Sequence, residues 1–272
     1  TSNLLNKDVL LNNRLWWQWW RKAVNRLHNP VNIAVKKGGS PYLLSFFERS
    51  QFDGINRLFI EDYAGHRQRA GSNRLLFLIV LVLSVPFGVL AALLRLSPIG
   101  IVRKIMAFYV YIMRGTPLML QILFIYYGLP FIPYVGVQLD DTTAAVISFV
   151  LNYAAYLCEI FRGGIQSIPK GQYEGAKVLG FTYVQTMRKI ILPQVIKRVL
   201  PPLANETINL LKDTSLVYIL AMNDVLRITR GIVQRDFDTS AFIVAAIFYL
   251  IMTFVLTNIF NYLEKRYAVY DE

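Results

Sequence analysis

The chain of 272 residues has one cysteine, Cys158, and two histidines, His28 and His66. A single thiol excludes an intrachain disulfide and every paired-cysteine zinc or redox motif. Cys158 lies inside an apolar run and reads as a packing residue. The sequence contains no G-x4-G-K-[ST] segment, and not even a Gly-Lys dipeptide, so it cannot cradle a triphosphate in the P-loop manner. H-E-x-x-H is also absent. The chain therefore reads as a non-enzyme with no metal or cofactor of its own. The first 74 residues lack the apolar core of a signal peptide, and no cleavable signal is expected. Acidic residues are scarce, 17 against 29 Lys and Arg, which leaves a net charge of +12.

What the chain has in quantity is apolar length: 55% of its residues are hydrophobic. Five runs suit a membrane crossing. The first is Leu75–Leu94 between Arg74 and Arg95, with Pro86 and Gly88 tolerable inside it. The second covers about Ile105 to Leu129, and Pro117 is expected to kink it. The third covers about Thr143 to Phe161, with Asp141 or Thr142 as N-cap and Gly163–Gly164 as its end. The fourth, Val195–Met222, is less hydrophobic. It holds Pro201, Pro202, Asn205, Glu206, Asn209, Lys212 and Asp213, a set too costly to face lipid. It must face protein or a watery path. The fifth is Ala241–Leu263, capped by Thr239 or Ser240.

Residues 1–74 form a separate segment, with 12 Lys and Arg against 5 Asp and Glu. Its piece Trp16 to Leu27, WWQWWRKAVNRL, suits either a membrane interface or the core of a small helical unit. The basic excess of the whole chain would suggest nucleic acid in a soluble protein. Here the cations flank apolar spans, so the positive-inside effect explains them and no nucleic acid is expected. The 95–104 and 162–198 loops are basic, whereas the 130–141 loop has two Asp and no cation. This charge pattern places the N-terminus outside and the C-terminus in the cytoplasm. The basic 1–74 segment runs against that assignment, though long segments translocate regardless of charge.

Gln172–Pro193 stands apart as a charged stretch between apolar spans. Ala176, Gly180, Tyr183, Val184, Met187 and Ile191 recur at helical spacing, which predicts one apolar face. Gly180 predicts a break into two short helices, and Pro193 a stop in backbone hydrogen bonding. The pattern Glu174-x-Ala176-x3-Gly180-x9-Ile190-x-Leu192-Pro193 resembles the EAA loop of permeases of ATP-binding-cassette importers. Gly175 replaces the usual first Ala. Similar matches are the R-G-T-P segment Arg114–Gln121, the run Asn152–Gly180 (with Cys158 where Ala is usual) and K-x-T-S-L at Lys212–Leu216. These are typical of the polar-amino-acid permeases, and the resemblance covers about residues 75–267.

The resemblance implies an all-α membrane fold of the type I importer, with about five transmembrane helices plus the extra N-terminal segment. It implies that 172–193 is a coupling helix, with Glu174, Ala176, Gly180, Ile190, Leu192 and Pro193 as its marks. The implied partners are an ATPase dimer that binds the ATP, a second permease of the same or similar kind, an extracytoplasmic solute-binding protein and membrane lipid. The implied location is the bacterial inner membrane. A zwitterionic amino acid needs an acceptor for its ammonium and donors for its carboxylate. Glu206 and Asn209 share a helix face. Gln121 and Asn152 are neutral polar candidates on other spans, and Asp213, Thr214 and Ser215 continue the stripe. The plainer role for each is an interhelical hydrogen bond. Glu159 and Arg162 read as a structural ion pair. The alternative function is an ion-coupled secondary transporter or channel using Glu206 and Asp213. Such a protein has no use for an ATPase-docking loop, and no internal repeat of the kind many carriers show is visible.

Overall fold

The structure is a computed structural model. It describes residues 67–134, 136–237 and 239–267, with side chains from residue 75 onward. The Trp-rich segment and most of 1–74 lie outside the described residues. The described chain is helical: α1 Arg67–Arg95, α2 Gly100–Gly115, α3 Leu118–Leu123, α4 Asp141–Gln166, α5 Lys170–Val178, α6 Tyr183–Thr186, α7 Leu192–Asp213, α8 Val225–Asp236 and α9 Ser240–Tyr267. Residues Leu75–Arg95 of α1, together with α4 and α9, are each long and apolar enough to cross a membrane, and α2 with α3 and its continuation to Phe131 qualifies as a bent pair. Helix α7, with 22 residues, is long enough but carries the polar stripe noted above.

Helix α4 is the centre of the packing. It is the most enclosed of the three long apolar helices, whereas α9 leaves most of its surface open. Its small residues explain this. Ala144, Ala145, Ser148, Ala154, Ala155 and Cys158 are all buried, and small side chains let membrane helices approach closely. Gly88 of α1 meets α4 so tightly that a Cβ would lie 2.6 Å from that of Leu157. Leu76 and Val80 of α1 join Phe149 and Tyr153 of α4, Leu210 of α7 and Val217 in one core, and Ala91, Ala92, Val110, Ala155 and Cys158 form a second. The outer faces of α1 and α9 expose Val82, Leu90, Leu250 and Phe254. Apolar surface of this kind suits a hydrocarbon solvent, because both helices satisfy their own backbone.

Several expected boundaries shift. Pro117 does not kink a continuous span: α2 stops at Gly115, and α3 departs at 105°. Thr116 and Pro117 are extended (ψ 144° and 134°), so the chain turns where proline forbids a helical predecessor. The cap of α4 is Asp140, one residue before Asp141 and two before Thr142, and its carboxylate accepts the Thr143 N–H at 3.0 Å. Gly163 and Gly164 do not end α4, which runs on to Gln166. Gly164 is buried against α7, where a Cβ would sit 2.4 Å from a Val199 methyl. It is a packing glycine, not a terminator. The expected span Val195–Met222 is two elements, α7 followed by a 3-10 segment Thr214–Leu220. The cluster Lys212–Ser215 favours this, since the Thr214 hydroxyl donates to the Leu211 carbonyl at 2.7 Å and competes with α-helical pairing. Ala221, at φ 59°, then reverses the chain.

Candidate functional site

The right-angled break at 115–117 leaves carbonyls at the end of α2 without helical partners. Two amides repair this. The Gln121 amide donates to the carbonyls of Met113 (3.0 Å) and Thr116 (3.1 Å) and to the Thr116 hydroxyl (2.7 Å). Asn152, from the middle of α4 and 4% exposed, donates to Met113 O and to Gln121 Oε1, both at 3.0 Å. Both of its N–H groups are thereby used by protein. Gln121 and Asn152 hold the break in place.

Beside this latch lies a cavity of about 540 Å³. Its rim on the α2–α3 side is Arg114, Thr116 and Pro117; α4 contributes Asn152, Tyr153 and Tyr156; α7 contributes Glu206, Asn209 and Asp213, and Leu216 follows from the 3-10 segment. Residues 152, 153 and 156 share one face of α4, and 206, 209 and 213 one face of α7. The Tyr153 hydroxyl donates to Asp213 Oδ2 at 2.7 Å, which fixes that carboxylate. The Arg114 guanidinium lies 5.1 Å from the Tyr156 ring centroid, a cation–π distance. One cavity thus holds a guanidinium and two carboxylates.

Of the residues singled out from sequence, Asn152, Glu206, Asn209 and Asp213 line this space and three do not. Gln121 sits behind it in the latch. Thr214 is buried with its hydroxyl on the Leu211 carbonyl of α7, and Ser215 does not line the cavity. Glu206 is not at the middle of a 28-residue helix, as the long-span reading placed it, but in the last third of a 22-residue one. Arg114, Tyr153 and Tyr156 were not singled out. The signal was present for the tyrosines, which fall at i+1 and i+4 from Asn152 on α4. For Arg114 it was hidden by its place beside a break. Glu159 does pair with Arg162, and also with Arg95 at 3.5 Å.

The segment 172–193 breaks at Gly180, whose φ is +76°. The expected single apolar face is not formed. Ala176 and Ile191 are buried and Met187 packs beside Ile191, while Tyr183 and Val184 are 74% and 70% exposed. The turn at Gly180 rotates α6 relative to α5, so spacing computed through it fails. A capping box between Thr182 and Gln185 restarts the helix. Pro193 is not a stop. It stands in the first turn of α7, directly after a π-helical turn Met187–Ile191. The wider turn displaces the carbonyl that a proline ring would strike, which lets the helix continue through it. The result is an exposed apolar knuckle of Val178, Leu179, Tyr183 and Val184 around Gly180.

Comparison with known proteins gives the architecture a family. Residues 64–269 match the family described as binding-protein-dependent transport system inner membrane component. The probable amino-acid ABC transporter permease protein YckA of Bacillus subtilis is 36% identical over 215 residues, covering 79% of this chain and 94% of that protein. The glutamine transport system permease protein GlnP of Escherichia coli is 36% identical over 183 residues, covering 67% and 83%. Among solved structures, an amino acid ABC transporter with histidines superposes with a TM-score of 0.68 at 32% identity, over 77% of this chain and 97% of that one. With its buried α4, its broken α2–α3 pair and its exposed knuckle, the chain belongs to the inner-membrane permease components of binding-protein-dependent transport systems.

Proposed function

We propose that the chain forms the solute path of an ATP-driven importer for a polar amino acid. The observation that carries this reading is the cavity of Arg114, Glu206 and Asp213, which offers both signs of charge to a zwitterion. Arg114 is the donor for the carboxylate, matched by its planar fork. Glu206 accepts the ammonium or a cationic side chain, Asn209 adds a neutral polar contact, and Asp213 is held by Tyr153. The two curated relatives named for amino-acid transport support the substrate class.

The exposed knuckle around Gly180 is the surface offered to a separate ATPase dimer, which binds and hydrolyses the ATP. A second permease chain and an extracytoplasmic binding protein complete the assembly. Charge asymmetry of the loops puts the knuckle in the cytoplasm, the 131–140 loop outside, and the two termini on opposite sides. Residues 1–74 are a separate segment preceding the permease domain. The transport reading is tested with Glu206→Gln in reconstituted transporter. Uptake of a cationic amino acid falls about tenfold or more, as expected for losing a charge-assisted contact, and neutral amino acids are affected less. Normal uptake with unchanged preference would return Glu206 to a packing role.

A further inference from the structure

A second cavity lies further along the chain, of about 340 Å³, lined among others by Tyr218, Ile219, Arg227, Arg230, Gly231 and Gln234. Its relation to the first follows from the 3-10 segment between them. In a 3-10 helix, side chains at i and i+3 eclipse. Asp213 and Leu216 line the first cavity and Ile219 lines the second. Leu216 at the first space and Ile219 at the second are therefore one turn apart on the same segment, a rise of about 6 Å at 2 Å per residue.

The reversal at Ala221 brings α8 back against the end of that segment. Thr229 and Ile232 are buried on one side of α8. Arg227, Arg230, Gly231 and Gln234 lie on another face, at i, i+3, i+4 and i+7. The Arg230 guanidinium stacks over the Tyr218 ring at 4.9 Å, which preorganises it. No acidic side chain lines the cavity. Among the described residues neither Arg227 nor Arg230 has a carboxylate partner. Arg227 is half-buried, and a guanidinium so placed is poorly compensated until an anion arrives. Arg230 is exposed but held over Tyr218, and two guanidinium forks side by side suit a carboxylate. The space exceeds what one carboxylate group needs and lies in the range of small-molecule sites.

We infer that this cavity is a second solute site, in which Arg227 and Arg230 receive the carboxylate of an amino acid before it moves one 3-10 turn along to Arg114, Glu206 and Asp213. The inference rests on the first cavity being the solute path. It explains why the outer space carries only positive charge and the inner one both signs: the carboxylate is captured first, and the ammonium is recognised only at the second station.

The test is equilibrium binding of labelled L-glutamine and L-histidine, and of their carboxamide analogues, to the purified transporter with all its subunits. Two saturable classes of amino-acid site per permease chain are expected beyond the site of the binding protein, which is measured on that protein alone. Arg227→Gln/Arg230→Gln removes one class and raises the KM of uptake about tenfold, by more than kcat falls. Glu206→Gln removes the other. The carboxamides, whose α-carboxylate is replaced, lose the class that depends on Arg227 and Arg230, bind the inner class more weakly for want of the Arg114 contact, and are indifferent to the arginine changes. Arg227→Lys/Arg230→Lys restores part of the lost class, since charge returns without the fork. If the double Gln variant aggregates on size-exclusion chromatography, the single Arg227→Gln variant and the Lys pair carry the same measurement. One class of site, retained in the arginine variants, overturns the proposal. So does loss of binding-protein-stimulated ATP hydrolysis with unchanged solute stoichiometry, which would make these arginines a docking contact for the partner protein. If Glu206→Gln leaves binding intact while the arginine variants lose it, the reading of the inner cavity fails and the outer site stands alone.

Discussion

The molecule breaks its helices at two glycine-containing points, Gly115–Pro117 and Gly180, and treats them in opposite ways. At the first, the Met113 and Thr116 carbonyls are taken up by side-chain amides: Gln121 and Asn152 together make five contacts of 2.7–3.1 Å at the break. At the second, the Thr182–Gln185 capping box is the local repair, and four large apolar or aromatic side chains stand in the open. A break away from water has to carry its own polar partners. A break in water needs none, so its side chains are free to serve a neighbour. The inner break shapes a cavity and the outer one leaves an apolar surface exposed.

Destroying the inner repair gives the largest effect. Asn152→Leu removes one of the two donors on the Met113 carbonyl and the donor on the Gln121 side-chain oxygen, leaving that half-buried acceptor unmet. Each such loss costs about 1–3 kcal/mol, and the bulk of leucine adds strain beside Gln121. The variant is expected to be recovered at a small fraction of the wild-type amount, with a melting temperature several degrees lower. Asn152→Asp, which keeps the shape, recovers less than half of the loss. Wild-type yield and stability in Asn152→Leu would show that the latch is incidental.

The outer break should respond in the reverse sense. Leu179→Glu combined with Val184→Glu changes side chains that are 74% and 70% exposed, so the isolated permease keeps its yield and melting temperature. Affinity for the ATPase is expected to fall at least about a hundredfold, the loss expected when apolar contact points at an interface centre become charged. Pull-down of the ATPase by the folded variant decides the matter, and full retention would mean that the knuckle is not the contact. Gly180→Ala is a smaller change at the same place. The φ of +76° is unfavourable for any residue with a Cβ, at about 1–2 kcal/mol, although nothing crowds the site. Coupling of ATP hydrolysis to uptake should weaken while the ATPase still binds.

These contrasts also show what could be read in the sequence. The apolar spans and the polar stripe of α7 were legible, because hydropathy and helical spacing act over many residues. The break at Gly180 was legible too, from one glycine in a helical pattern. The consequences of breaks were not. Spacing carried across Gly180 put Tyr183 and Val184 on the face of Ala176, but a change of chain direction resets the phase. Pro117 announced a deflection without its size, since 105° depends on Gln121 and Asn152, which are 31 residues apart. Pro193 misled because the π turn before it removes the clash, and no local residue type signals that turn. Arg114 escaped notice as a cavity residue for the same reason: its position depends on how α2 ends. Contacts between distant segments made the site, and a single sequence does not display them.

The smallest expected effect sharpens the comparison from a third place, the solvent-exposed cap of α4. The Thr143 side chain and then the Thr143 backbone N–H donate to the Asp140 carboxylate, and this holds its carboxyl below the ordinary carboxylate range. The sign follows from linkage. A carboxyl whose folded value is depressed contributes stability above its unfolded value, near pH 4, and loses it as the pH falls through the folded value. The contribution is therefore complete at neutral pH and fades in the acid range below about pH 4. Asp140→Asn keeps a capping acceptor but cannot titrate, so the variant should lack this part of the acid sensitivity while matching the wild type at pH 7. The difference is small because the group is fully solvated: at most about 2 °C in melting temperature for a chain of this size. Thermal unfolding of both proteins between pH 3 and pH 7 measures it. Parallel curves over that whole interval would mean that Asp140 caps α4 by shape alone, and that water at this end of the helix, as at Gly180, makes charge dispensable.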